Sequence, residues 1–314
     1  MKHSTEGPII GLALSAGGAR GLAHVGVIEV LVEHGYRIGT IAGSSMGALV
    51  GGIYAAGRLD EYRDWACQLE RRGVLRLLDF AFGSPGFFRG DRVIGALREM
   101  VGDHRIEDLP ISFTAVATDL RAQREVWLTR GLLFDAIRAS IAIPMVLTPH
   151  TVDGRELVDG GLLAPLPIAP TRMSKVDWVI AVDVNSRSTP PFTRQTGPRI
   201  DPPEPPAQIE PASLTARLRD WIDGEPDLPA PPNKKPSAGL MELMSKSLDT
   251  MQARMARMQL ALDPPDLVIK VPGDAALFYE FWRGKELIEL GRCCALAALE
   301  QSTEKVSQCL PPRV

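Results

Sequence analysis

Ile38-Gly39-Thr40-Ile41-Ala42 followed by Gly43-Ser44-Ser45-Met46-Gly47 and then by Ala48 to Ala56 is the stretch that decides the fold. The first five residues read as a short strand, Met46 to Ala56 read as a helix, and Gly57 closes that helix. The turn between them fits G-x-S-x-G, and a strand entering and a helix leaving is the context that pattern requires. A sharp strand-to-helix turn forces Ser45 into a strained backbone shape and lifts its hydroxyl out at the carboxyl end of the sheet. The helix that follows aims its positive end at the same spot. A plainer reading is a helix start with Ser44 or Ser45 as N-cap.

Upstream, Ile9–Leu14 is an apolar run bounded by glycines, suited to a buried strand. After a glycine-rich turn, Leu22, Val25, Ile28, Val30, Leu31 and Val32 give a broad apolar helix surface that Gly35 ends. Strand, helix, strand, helix in quick succession predicts an α/β fold, a mostly parallel central sheet flanked by helices. Further strands are expected at 111–118, 125–128, 176–184 and 267–271. Further helices are expected near 60–71, 91–101, 132–140, 240–262 and 285–308.

The turn Ala16-Gly17-Gly18-Ala19-Arg20-Gly21 leaves amide groups bare for a close-approaching ligand or oxyanion. An oxyanion hole, a tight packing turn and a dinucleotide-binding turn compete for it. The last lacks its leading glycine, which is Ala16, and the acidic residue that should end the second strand, where Ala42-Gly43-Ser44 stands. Arg20 could attract a phosphate group or pin the turn through an ion pair. Further on, Leu157-Val158-Asp159-Gly160-Gly161 puts a carboxylate between a strand end and two glycines, a setting also common for a simple turn. The five histidines are His3, His24, His34, His104 and His150, and none follows Asp159. A triad in the order Ser45, Asp159, histidine is therefore excluded, whereas Ser45, Asp119 and His150 satisfy a triad by chain order.

Composition bounds the rest. The 314 residues are 45% hydrophobic and 23% charged, enough for a sizeable core, and the net charge of −3 gives no global case for nucleic-acid binding. The cysteines, Cys67, Cys293, Cys294 and Cys309, lack metal-site spacing, and Cys293 and Cys294 read as small core residues on a helix. A reducing, cytoplasmic setting is expected, with contact to membranes only at the surface, because no run approaches the ~20 apolar residues of a membrane span. Residues 186–236 hold 13 of the 26 prolines and read as a long excursion or lid. The expected organisation is a catalytic core over 1–185, this excursion over 186–236, and C-terminal helices and a strand over 237–314 completing the same domain. Met241, Met244, Leu248, Met251, Met255, Met258 and Leu262 form one helical stripe, expected to face the protein's own core, with a pliable wall for acyl chains, a membrane face or a dimer seam as the alternatives.

Together, Ala16–Gly21, Gly43–Gly47 and Asp159–Gly161, in that order, resemble the motifs of the patatin-like phospholipase family, especially its small bacterial members. Ala117-Thr118-Asp119-Leu120 and Ala139-Ser140-Ile141-Ala142-Ile143-Pro144 are similar to family segments too. The resemblance covers roughly residues 9–185. Ala16 replaces the family's usual first glycine, and the proline-rich stretch has no counterpart. The resemblance implies a Ser–Asp dyad without histidine: Ser45 as nucleophile and Asp159 as general base, with backbone amides of Gly17, Gly18 and Arg20 as oxyanion hole and Gly21, Gly43, Gly47, Gly160 and Gly161 completing the motifs. It implies a lipid acyl hydrolase acting on phospholipids or lysophospholipids at a membrane surface, with no metal or organic cofactor. A neutral-ester or thioester hydrolase, an acyltransferase and a non-catalytic lipid-binding protein on the same fold are the alternatives.

Overall fold

The computed structural model describes residues 7–79, 86–187 and 240–309. The proline-rich excursion, apart from its first residues, and Cys309's side chain lie outside what is described. The chain opens with β1 (Ile9–Leu14), α1 (Ala23–Glu33), β2 (Arg37–Ser44) and α2 (Met46–Ala55). Then come α3 (Leu59–Gln68), α4 (Arg71–Leu77), β3 (Gly86–Phe88), α5 (Asp91–Val101), β4 (Ser112–Asp119), β5 (Arg124–Leu128) and α6 (Leu133–Ser140). Three short strands follow, β6 (Met145–Leu147), β7 (His150–Val152) and β8 (Arg155–Asp159), before β9 (Trp178–Ser186), α7 (Leu240–Leu262), β10 (Leu267–Pro272) and α8 (Gly284–Cys309).

The main sheet runs β10-β9-β1-β2-β4-β8-β7, with β5 also paired to β4. Its first five strands are parallel, and antiparallel pairing enters only around β4, β5, β7 and β8. The expected mostly parallel α/β sheet is thus present, with an antiparallel flank that the apolar runs did not announce. The hairpin joining β7 to β8 turns on Asp153-Gly154, both at positive φ (50° and 72°). That dipeptide takes up the paired left-handed conformations that match strand twist in two-residue hairpins.

Both faces of the sheet are covered. On one face Ile180 and Val182 of β9 and Leu12 and Leu14 of β1 join Val27, Ile28 and Leu31 of α1, Leu49 and Ile53 of α2, and Leu287 and Ile288 of α8. The alternate residues Ala13, Val179 and Ala181 meet Leu166, Ile168 and Ala256 of α7 on the other. Two-sided burial explains why these strands read as continuous apolar runs. Helices α1 and α8 cross very closely: a Cβ on Gly26 would lie 2.0 Å from the Ile288 carbonyl oxygen, and one on Gly291 2.0 Å from that of Ala23.

Two side-chain expectations are corrected. Cys293 is exposed on α8 and only Cys294 packs partly against the core. The stripe of α7 does not face the core as a whole: Met251, Met258 and Leu262 are exposed, Met255 is half-buried and Leu248 lines the cavity described below, while Asp249, Gln252, Ala256 and Gln259 also turn inward; the side chains of Met241 and Met244 lie outside what is described. The physical reason is what lies beneath α7. It covers glycine-rich loops that leave no room for methionine and offer polar partners, such as the Leu166 N–H that donates to Gln259 Oε1 at 3.0 Å.

The close helix crossing gives a paired prediction. Gly26→Ala forces α1 and α8 apart and lowers stability by about 1–3 kcal/mol, the range of overpacked cores. Gly95→Ala, on the exposed side of α5 with open space around its Cβ position, raises stability by about 0.5–1 kcal/mol. Thermal denaturation of the two variants beside the parent checks both signs.

Candidate active site

Ser45 is the turn between β2 and α2. Its backbone sits at φ 54°, ψ −122°, a conformation that L-residues rarely adopt. The turn closes only because Gly43 and Gly47 touch: a Cβ on Gly43 would fall 2.3 Å from the Gly47 carbonyl carbon, and one on Gly47 2.1 Å from the Leu14 carbonyl oxygen. The strained turn is held from outside by Ser140 at the end of α6. Its hydroxyl donates to the Val116 carbonyl at 2.6 Å and accepts the Ser45 N–H at 2.9 Å. Ser45 stands at the N-cap position of α2 but makes no capping hydrogen bond. Its hydroxyl donates instead to Asp159 Oδ2 at 2.6 Å. Ser44 donates to the Ala164 carbonyl at 2.6 Å, so neither serine acts as a cap.

Asp159 ends β8. Its N–H donates to the Ala142 carbonyl at 2.9 Å and its own carbonyl accepts from the Thr118 hydroxyl at 3.0 Å. The second carboxylate oxygen, Oδ1, accepts from the Gly161 N–H at 2.6 Å. Gly160 is required there, because a Cβ would lie 2.0 Å from the Val116 carbonyl oxygen. The carboxyl group is fully buried. Burial pushes its pKa up to about 7, against the pull of the Ser45 hydroxyl and the Gly161 amide. An aspartate at that value is a far stronger base than one in water.

Ser45 and Asp159 line a small cavity of about 50 Å³, open to solvent, with Gly17 and Gly18. Its apolar wall is Ile143, Pro144, Val146, Leu162, Leu248 and Phe278, and its remaining polar side chains are Asp249 and Gln252 of α7. Gly17 and Gly18 open a one-and-a-half-turn 3₁₀ segment, Gly18–Leu22, that includes Gly21, against which Met46 of α2 packs. Neither the Gly17 nor the Gly18 N–H meets a backbone acceptor among the described residues. Gly161 lies between Ala16 and Gln252.

Arg20 lies elsewhere than its place beside these glycines implied. It is buried and does not line the cavity. Its guanidinium pairs with Asp249 at 2.6 Å and donates to the carbonyls of Gly17 and Gly273, at 3.2 and 2.8 Å. Of the two readings of Arg20, the ion pair that pins the turn is the observed arrangement. The alternative triad does not assemble. His150 is half-buried on β7 with its Nε2 3.8 Å from Asp135, and burial, reinforced by the Arg138 charge, lowers its pKa. Asp119 spends Oδ1 on the Ala122 N–H at 2.9 Å. Neither residue lines the cavity that holds Ser45. Among the described residues no group of three or more His, Cys, Asp or Glu is placed to hold a metal ion.

With this geometry in hand, comparison with known proteins is decisive. Residues 12–172 match the family model described as patatin-like phospholipase. The chain belongs to the patatin-like phospholipase family. An uncharacterized NTE family protein of Mycobacterium tuberculosis is 42% identical, over 95% of this chain and 93% of its own. The lysophospholipase NTE1 of Yarrowia lipolytica is 32% identical over 58% of this chain. The neuropathy target esterase sws of Drosophila melanogaster is 31% identical over 60%. The aligned regions span 13% and 14% of those two longer proteins. Ser140 and Thr118 were not singled out as site residues from sequence. Ser140 and Thr118 lie within segments similar to the family, and a buried serine or threonine in an apolar run was the available signal.

The raised pKa of Asp159 makes a stability prediction. A carboxyl that holds its proton more tightly folded than unfolded favours the fold at low pH, and that contribution is lost as pH rises from about 4 to about 7. Asp159→Asn, which keeps the shape and removes the charge, raises the melting temperature at pH 8, and the difference from the parent shrinks toward pH 4. Melting curves across that range check the sign.

Proposed function

We propose that this protein is a serine acyl hydrolase that cleaves fatty-acyl esters of lysophospholipids or phospholipids at a membrane surface. The observation that carries the reading is the 2.6 Å contact between the Ser45 hydroxyl and a buried Asp159 carboxylate, inside a cavity walled by apolar side chains. Family membership and relatives named as lysophospholipases support the substrate class. No helix among the described residues is long and apolar enough to cross a membrane, so the lipid reaches the cavity from the protein surface in this reading.

The chemistry runs in two halves. Asp159, ionised, takes the Ser45 proton as the hydroxyl oxygen attacks the ester carbonyl. The N–H groups of Gly17 and Gly18, together with the positive end of α2, meet the charge that develops on the carbonyl oxygen. The proton passes from Asp159 to the leaving alcohol and an acyl-Ser45 remains. Water then gives a proton to Asp159, attacks the acyl group and releases the fatty acid, and the proton returns to Ser45. A pKa of about 7 serves both directions, since the same group must accept and donate within one cycle.

Two measurements test this. A fluorophosphonate probe labels the parent at Ser45 and leaves Ser45→Ala unlabelled. Mass spectrometry after incubation with a mixed lipid extract shows fatty acid released and lysophospholipid consumed, with Ser45→Ala and Asp159→Asn each slower by about 10⁴-fold. A folded parent that resists the probe and leaves the lipids intact sinks the proposal. The pH profile carries a separate sign: kcat/KM falls about tenfold per pH unit below about 7, because the protonated Asp159 cannot accept the serine proton.

A further inference from the structure

Three consecutive carbonyls lead into the glycine loop, and each is held by a buried side chain. His24 Nε2 donates to the Ser15 carbonyl at 2.9 Å, Asn185 Nδ2 to that of Ala16 at 2.7 Å, and Arg20 Nε to that of Gly17 at 3.2 Å. All three side chains are nearly inaccessible to solvent. A carbonyl and the N–H of the next residue belong to one rigid planar unit. Fixing the Ala16 oxygen therefore fixes the direction of the Gly17 N–H, and fixing the Gly17 oxygen fixes that of the Gly18 N–H. A hydrogen bond at the oxygen also polarises the unit and strengthens its N–H as a donor.

Asn185 stands out among the three. It lies on β9, beyond the segment that matches the family model. Its own N–H donates to Asp183 Oδ1 at 3.0 Å, which steadies its backbone, and its buried Oδ1 has no partner among the described residues. That oxygen lies 3.4 Å from where a Cβ of Gly17 would stand. An apolar residue of similar shape would spare the desolvation cost of that oxygen but would leave the Ala16 carbonyl without this donor. The amide's contribution here is its donor to the Ala16 carbonyl, the oxygen of the peptide unit that carries the Gly17 N–H.

We propose that Asn185 is a positioning residue for the reaction: it orients and polarises the Ala16–Gly17 peptide so that the Gly17 N–H meets the developing oxyanion. The inference rests on the Ser45 hydrolase reading. Asn185→Leu, similar in shape but without a donor, lowers kcat about tenfold or more and leaves KM within about twofold. Affinity for an alkyl trifluoromethyl ketone, which forms an oxyanion on Ser45, falls by the same factor as kcat. A purely structural role would move melting temperature and KM without that match. Asn185→Asp keeps the shape and turns a carboxyl oxygen toward Ala16, so it serves if Asn185→Leu does not fold, with the same loss expected. Either variant, folded and with kcat and ketone affinity at parent values, overturns the inference. Ser45→Ala run alongside separates the two readings. Its loss of hydrolysis with Asn185 variants unaffected defeats only the role of Asn185, whereas hydrolysis retained in Ser45→Ala defeats the hydrolase reading itself.

Discussion

A single strand edge makes the site. β4 pairs on one side with β5, and on the other it serves β2 along its first half and β8 along its last residues. Ser44, the last residue of β2, sits opposite Val116, and Asp159, the last residue of β8, sits opposite Ala117. Two strands that arrive from opposite directions thus end against neighbouring positions of a third. Residues separated by more than a hundred positions in the chain come to hydrogen-bond distance through backbone register alone. A one-residue slip of β8 would turn Asp159 to the other face of the sheet. The hairpin at Asp153-Gly154 and the Thr118 hydroxyl on the Asp159 carbonyl both hold that register.

The site is costly to build, and the costs have visible counterweights. Ser45 holds a strained backbone, of order 1–3 kcal/mol, and Asp159 buries a carboxylate. The strain is opposed by Ser140, which bridges β4 and the turn, and by the contact of Gly43 with Gly47. The buried carboxylate receives two short hydrogen bonds, one from the serine and one from the Gly161 amide, yet its pKa stays well above the usual carboxylate range. Desolvation wins over two donors, and the carboxylate holds a proton more tightly than an aspartate in water.

Much of this was legible in the sequence, and the reasons are local. G-x-S-x-G between a strand and a helix, and Asp159 before two glycines, are backbone signatures that survive without tertiary information. The parallel core strands announced themselves as unbroken apolar runs. The hairpin turn at Asp153-Gly154 is a strong local signal, but the strands it joins, β7 and β8, are too short to show alternation of their own. Arg20 and the inward face of α7 were not legible. Arg20 sits in a motif, but its partner Asp249 lies 229 positions away, and no local pattern links them. The methionine stripe misled for a related reason: apolar periodicity finds a face, but the surface a helix packs on decides which face is wanted. Here the partner surface was polar and glycine-rich.

The link between Arg20 and Asp249 bears on how far the catalytic half of the chain could stand alone. A protein cut after β9 would keep serine, carboxylate and glycine loop, but its Arg20 guanidinium would lose Asp249 and the Gly273 carbonyl, the partners that tie the loop to the C-terminal segment. The wall formed by Leu248 and Gln252 would be missing as well. The loop that carries Gly17 and Gly18 is thus braced by elements from both ends of the chain.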